Sequence, residues 1–357
     1  MRRPAGKPPT IAVTGMNARA DNPGPGLAVA RCLRESGRPL RIVGLGYDAL
    51  DPGLYSDYCD AGYLLPYPGA GEEEVLARLE DIHAEEGLEV VIPCLDAELP
   101  IFIALAPRLA ALGIRALLPS ETQLAARDKS RLTELAEQAG VSVPETRRIS
   151  DTSFFADAEA QGFPYPFFVK GPYYDAQRVY DAAEGEAAFR RLVAAWGTPI
   201  LVQHCVVGEE VNLAALGDGE GGLIGAVMMK KRALTDKGKG WAGITVHDEG
   251  LLSLAQAVVK ALSWRGPLEV EALRDREGRH HLIEINPRFP AWIYLSAAAG
   301  RNLPALLVAQ LLNEPARELP PPPTGMMFIR AAHEIIVPLA AFESVMMTGR
   351  TPEASHD

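Results

Sequence analysis

Residues 269–288, EVEALRDREGRHHLIEINPR, narrow the fold more than any other stretch of the chain. Two short apolar segments flank DREGR, whose charged residues and glycine suit a hairpin tip. A turn centred near Glu277 and Gly278 sets Glu271 opposite Glu284 and Glu269 opposite Asn286. Side chains alternate along a strand, so Glu269, Glu271, Glu284, Asn286 and Arg288 fall on one face. Leu268, Val270, Ala272, Ile283 and Ile285 fall on the other, which is apolar enough for a core. Like charges directly opposite on a sheet are destabilising unless something compensates them. Two carboxylates and an amide oxygen are hard ligands, and a divalent cation such as magnesium meets that need. A solvated acidic strand face is the plainer alternative.

The rest of the composition excludes more than it selects. At 357 residues the chain is long for one core, and two or three domains are expected. Hydrophobic residues make up 48% and charged ones 23%, a globular balance without disorder bias. A net charge of −11 argues against nucleic acid or an anionic membrane as the main partner. No apolar run approaches the roughly 20 residues that span a bilayer, and the basic start, MRRPAGKPPT, precedes no signal-peptide core. Cys32, Cys59, Cys94 and Cys205 are scattered without a CxxC pair. They read as reduced thiols of a cytoplasmic protein.

Strands and helices alternate from residue 10 to about 120. IAVTG, LRIVGLGY and VVIPCLD read as buried strands, and GLAVARCLRES, Glu72–Glu86 and 97–112 as helices stopped by glycines. That order implies a parallel sheet covered on both faces, a Rossmann-like open sheet. TGMNARADNPGPG lacks GxGxxG spacing, so its glycines read first as a strand-to-helix turn. Asp96 and Glu98 follow a strand at the edge where open α/β sheets gather ligands, though acidic residues also suit a helix start. Ser120 caps a short helix, Asp128 opens another, and Gly140 ends it. YPFFVKGP is an apolar strand ending in Lys170, a costly place for an ammonium without a partner. PILVQHCVVGEEVNLAAL reads as strand, turn, strand. LIGAVMMKKRALTDKGKGWAGITV gives two strands around a loop carrying Lys230, Lys231, Arg232, Lys237 and Lys239. Alternation groups Lys230 with Arg232, and they are the cations expected to cover an anionic reacting group; a solvated basic turn is the alternative. After helical segments and the linker LPPPPTG, GMMFIRAAHEII returns as a strand at a sheet edge.

EVEA followed by LIEINPR resembles the metal-binding hairpin of the ATP-grasp superfamily, in the branch of carbamoyl-phosphate synthetase and biotin carboxylase. The resemblance covers residues 11–337 in element order. It implies a pre-ATP-grasp domain over 1–119, a first ATP-grasp subdomain over 120–200, and a second with the hairpin over 201–318. A Pro-rich linker and returning segment fill 319–357. It further implies that Glu271, Glu284 and Asn286 hold two magnesium ions on the ATP phosphates, with manganese able to substitute. Lys129 and Lys170 would reach those phosphates, and Gln203, His204, Cys205 and Val206 would form the adenine hinge. Glu210 would hold the ribose, and Arg288 would lie over the reacting acyl group. His204 by itself reads as packing outward. The sequence departs from the family after Lys170, where GPYYDAQRVYDAAEG replaces a glycine- and serine-rich loop. Either Arg178 and tyrosine hydroxyls grip the phosphates there, or the segment belongs to the acceptor pocket.

The family implies a cytoplasmic ATP-dependent ligase that activates a carboxylate as an acyl phosphate and joins it to an amine, with an amino acid or peptide as substrate. A bicarbonate-using carboxylase or carbamoyl-type enzyme and a non-catalytic nucleotide-binding partner are the alternatives. The chain beyond Arg288 is too short for biotin carboxylase's long carboxyl-terminal region. A homodimer through the first domain is the default expectation.

Overall fold

The computed structural model describes residues 7–19, 22–171, 175–235, 238–315, 319–321 and 324–352. Lys237, Tyr173 and Tyr174, which figured among the sequence expectations, lie outside them.

The first unit is a parallel sheet of β1 (Thr10–Val13), β2 (Arg41–Gly46), β3 (Ala61–Leu64) and β4 (Leu88–Ile92), in the order β3-β2-β1-β4. Its strands are apolar on both sides because helices cover both. Ile11, Val13, Ile42 and Val90 pack on the side of α1 (Pro25–Arg34), with Val29 and Leu33. Val43, Leu45 and Val91 pack against α2 (Glu72–Glu86) and α3 (Leu99–Ala111). The edge strand β3 was not legible in the sequence, since AGYL is too short to show a period. The glycines after β1 serve close packing: a Cβ on Gly26 would lie 1.9 Å from the carbonyl oxygen of Thr14.

A second sheet is antiparallel: β5 (Thr146–Ile149), β6 (Phe167–Lys170), β7 (Ala176–Val179) and β8 (Ile200–His204), in the order β5-β8-β6-β7. Phe167, Val169, Val202 and Val179 turn to an aromatic core with Phe154, Phe155, Phe163 and Phe189. Alternation therefore turns Phe168, Lys170 and Gln203 the other way.

The third sheet holds six antiparallel strands, β9 (Gly208–Asp218), β10 (Leu223–Leu234), β11 (Gly240–Thr245), β12 (Arg265–Asp275), β13 (His280–Asn286) and β14 (Met327–Ile329). Their order is β13-β12-β9-β10-β11-β14. One face, with Val211, Leu213, Met228, Val270 and Leu282, packs on α4 (Leu132–Ala139) and α5 (Glu249–Leu262). On the opposite face Ala214, Leu216, Val227 and Met229 join the core of the first unit. That shared core fixes the acidic end of the same face relative to the parallel sheet. The returning strand is the short β14 at the sheet edge. The chain then closes on β3, with Leu64 N–H donating to Gly349 O and Thr351 N–H to Gly62 O, both at 2.8 Å. No helix among the described residues is long and apolar enough to cross a membrane.

The turn after β4 is built around Glu98, which is fully buried. Its carboxylate accepts from Cys94 N–H at 2.7 Å, from Leu95 N–H at 2.8 Å and from the hydroxyls of Thr14 and Tyr47. Burial pushes its pKa up, while those donors oppose the shift. Glu98→Ala would strand several buried donors, each costing about 1–3 kcal/mol. We expect a loss of at least roughly 3 kcal/mol in urea denaturation, with Glu98→Gln losing less.

Candidate active site

The hairpin β12–β13 has the register read from the sequence: Glu271 pairs with Glu284 and Glu269 with Asn286. One correction applies. A bulge after Glu271 sets Ala272 opposite Leu282, so Leu282 and Ile285, not Ile283, complete the core face. The extra residue, Ile283, shifts the two-residue alternation by one from there towards the turn.

Glu269 is buried and ringed by donors. Trp292 Nε1 lies 2.6 Å away, Asn212 Nδ2 2.9 Å, Asn286 Nδ2 3.1 Å and an Arg288 nitrogen 3.5 Å. Burial and the adjacent Glu271 push its carboxyl up. Glu271 accepts from Asn286 Nδ2 at 2.9 Å and from Lys231 Nζ at 3.1 Å. Burial works against its charge, but Lys231 and the neighbouring carboxyl of Glu210 outweigh it and hold the Glu271 pKa down at about 2. Glu210 also bonds Lys231, yet burial raises its own pKa. Glu284 meets Lys129 Nζ at 3.3 Å, so cations of the protein itself offset this acidic face.

The lysine on that face is Lys231. Lys230 pairs with Val211, a core residue on the helix side, and bonds Glu209 there. The expectation that placed Lys230 and Arg232 together over the site is thus corrected for Lys230, which the cross-strand register turns away from the acidic face. Arg232 follows Lys231 as an exposed residue at an irregularity in β10. A helix-side anchor such as Met228 would have revealed the parity, had the pairing been known.

Across from the carboxylates, Lys170 Nζ donates to Gln203 Oε1 at 2.6 Å, and Gln203 Nε2 donates to Thr146 Oγ1 at 2.9 Å. Burial, then the nearby Lys129, lower the Lys170 pKa to about 8, while Glu284 opposes the shift. Arg178 pairs with Phe168 and so shares the face of Lys170. His204 packs on the aromatic-core side of the sheet, its Nε2 2.9 Å from Gly162 O and its ring 4.2 Å from that of Phe163. Cys205 and Val206 are half-buried in the link from β8 to β9.

Arg288 ties the hairpin to the parallel sheet, its Nε 3.0 Å from Asp96 Oδ2; Arg127 lies 3.6 Å from the other oxygen of Asp96. Sequence reasoning missed Lys231, Asn212 and Trp292. It also gave no role to Glu269, whose place on the acidic face it had found.

The donor set suits a hard divalent ion. Two carboxylates stand on adjacent strands, and the buried Asn212 Oδ1 lacks a hydrogen-bond partner on the same face. Among the described residues no three His, Cys, Asp or Glu side chains converge as a ready metal cage. The carboxylates are instead spread over internal cations.

The family described as "ATP-grasp in the biosynthetic pathway with Ter operon" matches residues 197–334. The carbamoyl phosphate synthase large chain of Clostridium acetobutylicum is 25% identical over 208 residues, 54% of this chain and 19% of that protein. This chain thus aligns with about a fifth of the length of that curated relative. An L-amino acid ligase from Bacillus licheniformis superposes with a TM-score of 0.61 at 19% identity, over 86% of this chain and 75% of its own. The biotin carboxylase domain of a Hydrogenobacter thermophilus 2-oxoglutarate carboxylase gives 0.64 at 18% identity, over 88% and 71%. The protein has the mixed α/β fold of the ATP-grasp superfamily. Within that fold, the chain is similar to carbamoyl phosphate synthase over 208 residues and to a biotin carboxylase domain over 88% of its length.

Lys170 makes a pH dependence. Its folded pKa of about 8 lies below the ordinary 10.5, so below pH 8 the folded state holds an unfavourably buried charge. Between pH 8 and 10.5 the folded protein releases a proton that the unfolded chain keeps, and stability rises with pH. Lys170→Met should remove that rise and stabilise the protein at pH 7 by up to roughly 3 kcal/mol in thermal or urea unfolding.

Proposed function

We propose that this chain is an ATP-dependent, ADP-forming ligase that activates a carboxylate and joins it to an amine. The arrangement that carries the reading is the acidic face of Glu210, Glu269, Glu271, Glu284 and Asn286 set against Lys129 and Lys170, with Arg288 held beside it by Asp96. The structural relatives support it within their own names: one is an L-amino acid ligase, and the other was solved with MgADP, ADP and bicarbonate.

In this reading Lys129 and Lys170 bind the nucleotide phosphates. An anion beside the desolvated Lys170 ammonium offsets the cost of burying its charge, which favours binding. The link through Gln203, His204, Cys205 and Val206 offers backbone groups to the base. Glu271, Glu284 and Asn286 would hold magnesium, two ions being the expected complement. When bound, the ions spread the negative charge of the phosphates and screen the attacking carboxylate. Arg288 holds the acyl phosphate and then the oxyanion formed as the amine attacks. Asp96 and Glu269 keep its guanidinium fixed, so its orientation does not have to be set during the reaction. The first unit lines the acceptor side, since Asp96 belongs to it. Arg178, paired with Phe168 on the face of Lys170, is the cation that the Tyr-rich segment after Lys170 would offer to the phosphates.

ADP release measured with ATP and magnesium, separately with pooled amino acids, with bicarbonate and with neither, tests the assignment. Release stimulated by amino acids is the expected result; bicarbonate stimulation would move the chain to carboxylase chemistry, and no release under any condition would favour a non-catalytic nucleotide-binding protein. Arg288→Ala should retain nucleotide binding by calorimetry while kcat falls by about 100-fold or more.

A further inference from the structure

Among the basic residues of its segment Lys231 was passed over in the sequence reading in favour of Lys230 and Arg232, yet it is the one that reaches the site. Its side chain is only 8% exposed, and its ammonium bonds Glu210 while lying 3.1 Å from Glu271 Oε2. The other oxygen of Glu271 accepts from Asn286 Nδ2, so both oxygens already have donors. Glu210 and Glu271 adjoin each other, and two neighbouring, partly buried carboxylates both ionise more readily with a cation between them. In the resemblance these two acids serve ribose and metal, so one lysine occupies both at once.

We propose that Lys231 is a built-in stand-in for the divalent cation, which keeps free metal off Glu271 until nucleotide phosphates draw the ammonium away. The inference rests on the nucleotide reading above and adds an order of events to it. A divalent ion taking Glu271 Oε2 would meet a like charge bonded to the same oxygen, so metal alone binds poorly. Lysine carries its charge on a flexible four-carbon stem and can swing from carboxylate to phosphate without moving the strand. Phosphates arriving with their metal supply both the anion that takes up Lys231 and the cation that replaces it. The unpartnered Asn212 Oδ1, directly across from Glu271 in the strand pairing, leaves one more oxygen open to the incoming ion.

The test is binding of Mn2+ alone, by calorimetry or by loss of the free-ion paramagnetic signal, to the full chain and its variants. Lys231→Met should bind Mn2+ at least about tenfold more tightly than the unaltered protein, because a like charge has been removed from the same oxygen. Lys230→Met, on the opposite face, should leave Mn2+ affinity unchanged. If the loss of Lys231 alone prevents folding, Lys231→Met combined with Glu210→Gln keeps the charge balanced. That pair should then bind Mn2+ more tightly than Glu210→Gln by a similar factor. Equal or weaker Mn2+ binding after loss of Lys231 would overturn the proposal, yet leave the ligase reading standing if the unaltered protein takes up Mn2+ together with ADP. No Mn2+ uptake with ADP in any variant would overturn both.

Discussion

Carboxylates gathered on one end of a buried sheet face can stay charged only if cations meet them, and in this protein the chain supplies those cations. Lys231 bridges Glu210 and Glu271, Lys129 meets Glu284, and Arg288 reaches Glu269. The Lys231 and Arg288 pairings tie together strands of one sheet, while Lys129 brings its charge to Glu284 from the segment before α4. Breaking one such partnership leaves the other charge uncompensated in a desolvated site, which is far costlier than losing an exposed ion pair.

The same logic links the parallel sheet to the site. Asp96 at the end of β4 takes Arg288 and lies near Arg127, while the fully buried Glu98 fixes the turn that presents Asp96. The shared core of Val29, Leu33, Ala214, Leu216 and Val227 holds the two sheets at a set distance, so the ion pair joins surfaces that are already positioned. A mobile hinge between the units would lose this registry.

Much of the fold was legible because periodicity and punctuation agreed. Glu72–Glu86 shows helical spacing and ends at Gly87 in the left-handed region, and the strands 10–13, 41–46 and 88–92 are short apolar runs between turns. The acidic pair of the hairpin was legible because both arms count from one tip. Beyond that, counting failed where a bulge changed its phase: Leu282 took the core place expected for Ile283. It failed again in β10, where two adjacent lysines look alike in sequence and only pairing with Val211 turns Lys230 outward.

The amino-acid order alone determined that Glu269, Glu271, Glu284 and Asn286 lie on one hairpin face, since alternation and a short turn are local properties. It also determined the parallel sheet, because alternating strands and helices leave few other packings. The tertiary structure decided which cation meets which acid. Lys129 and Lys231 come from segments outside the hairpin, and their reach depends on strand register and on how the sheets pack. Charge compensation acts through space at a few ångströms, and separation along the chain carries no information about it.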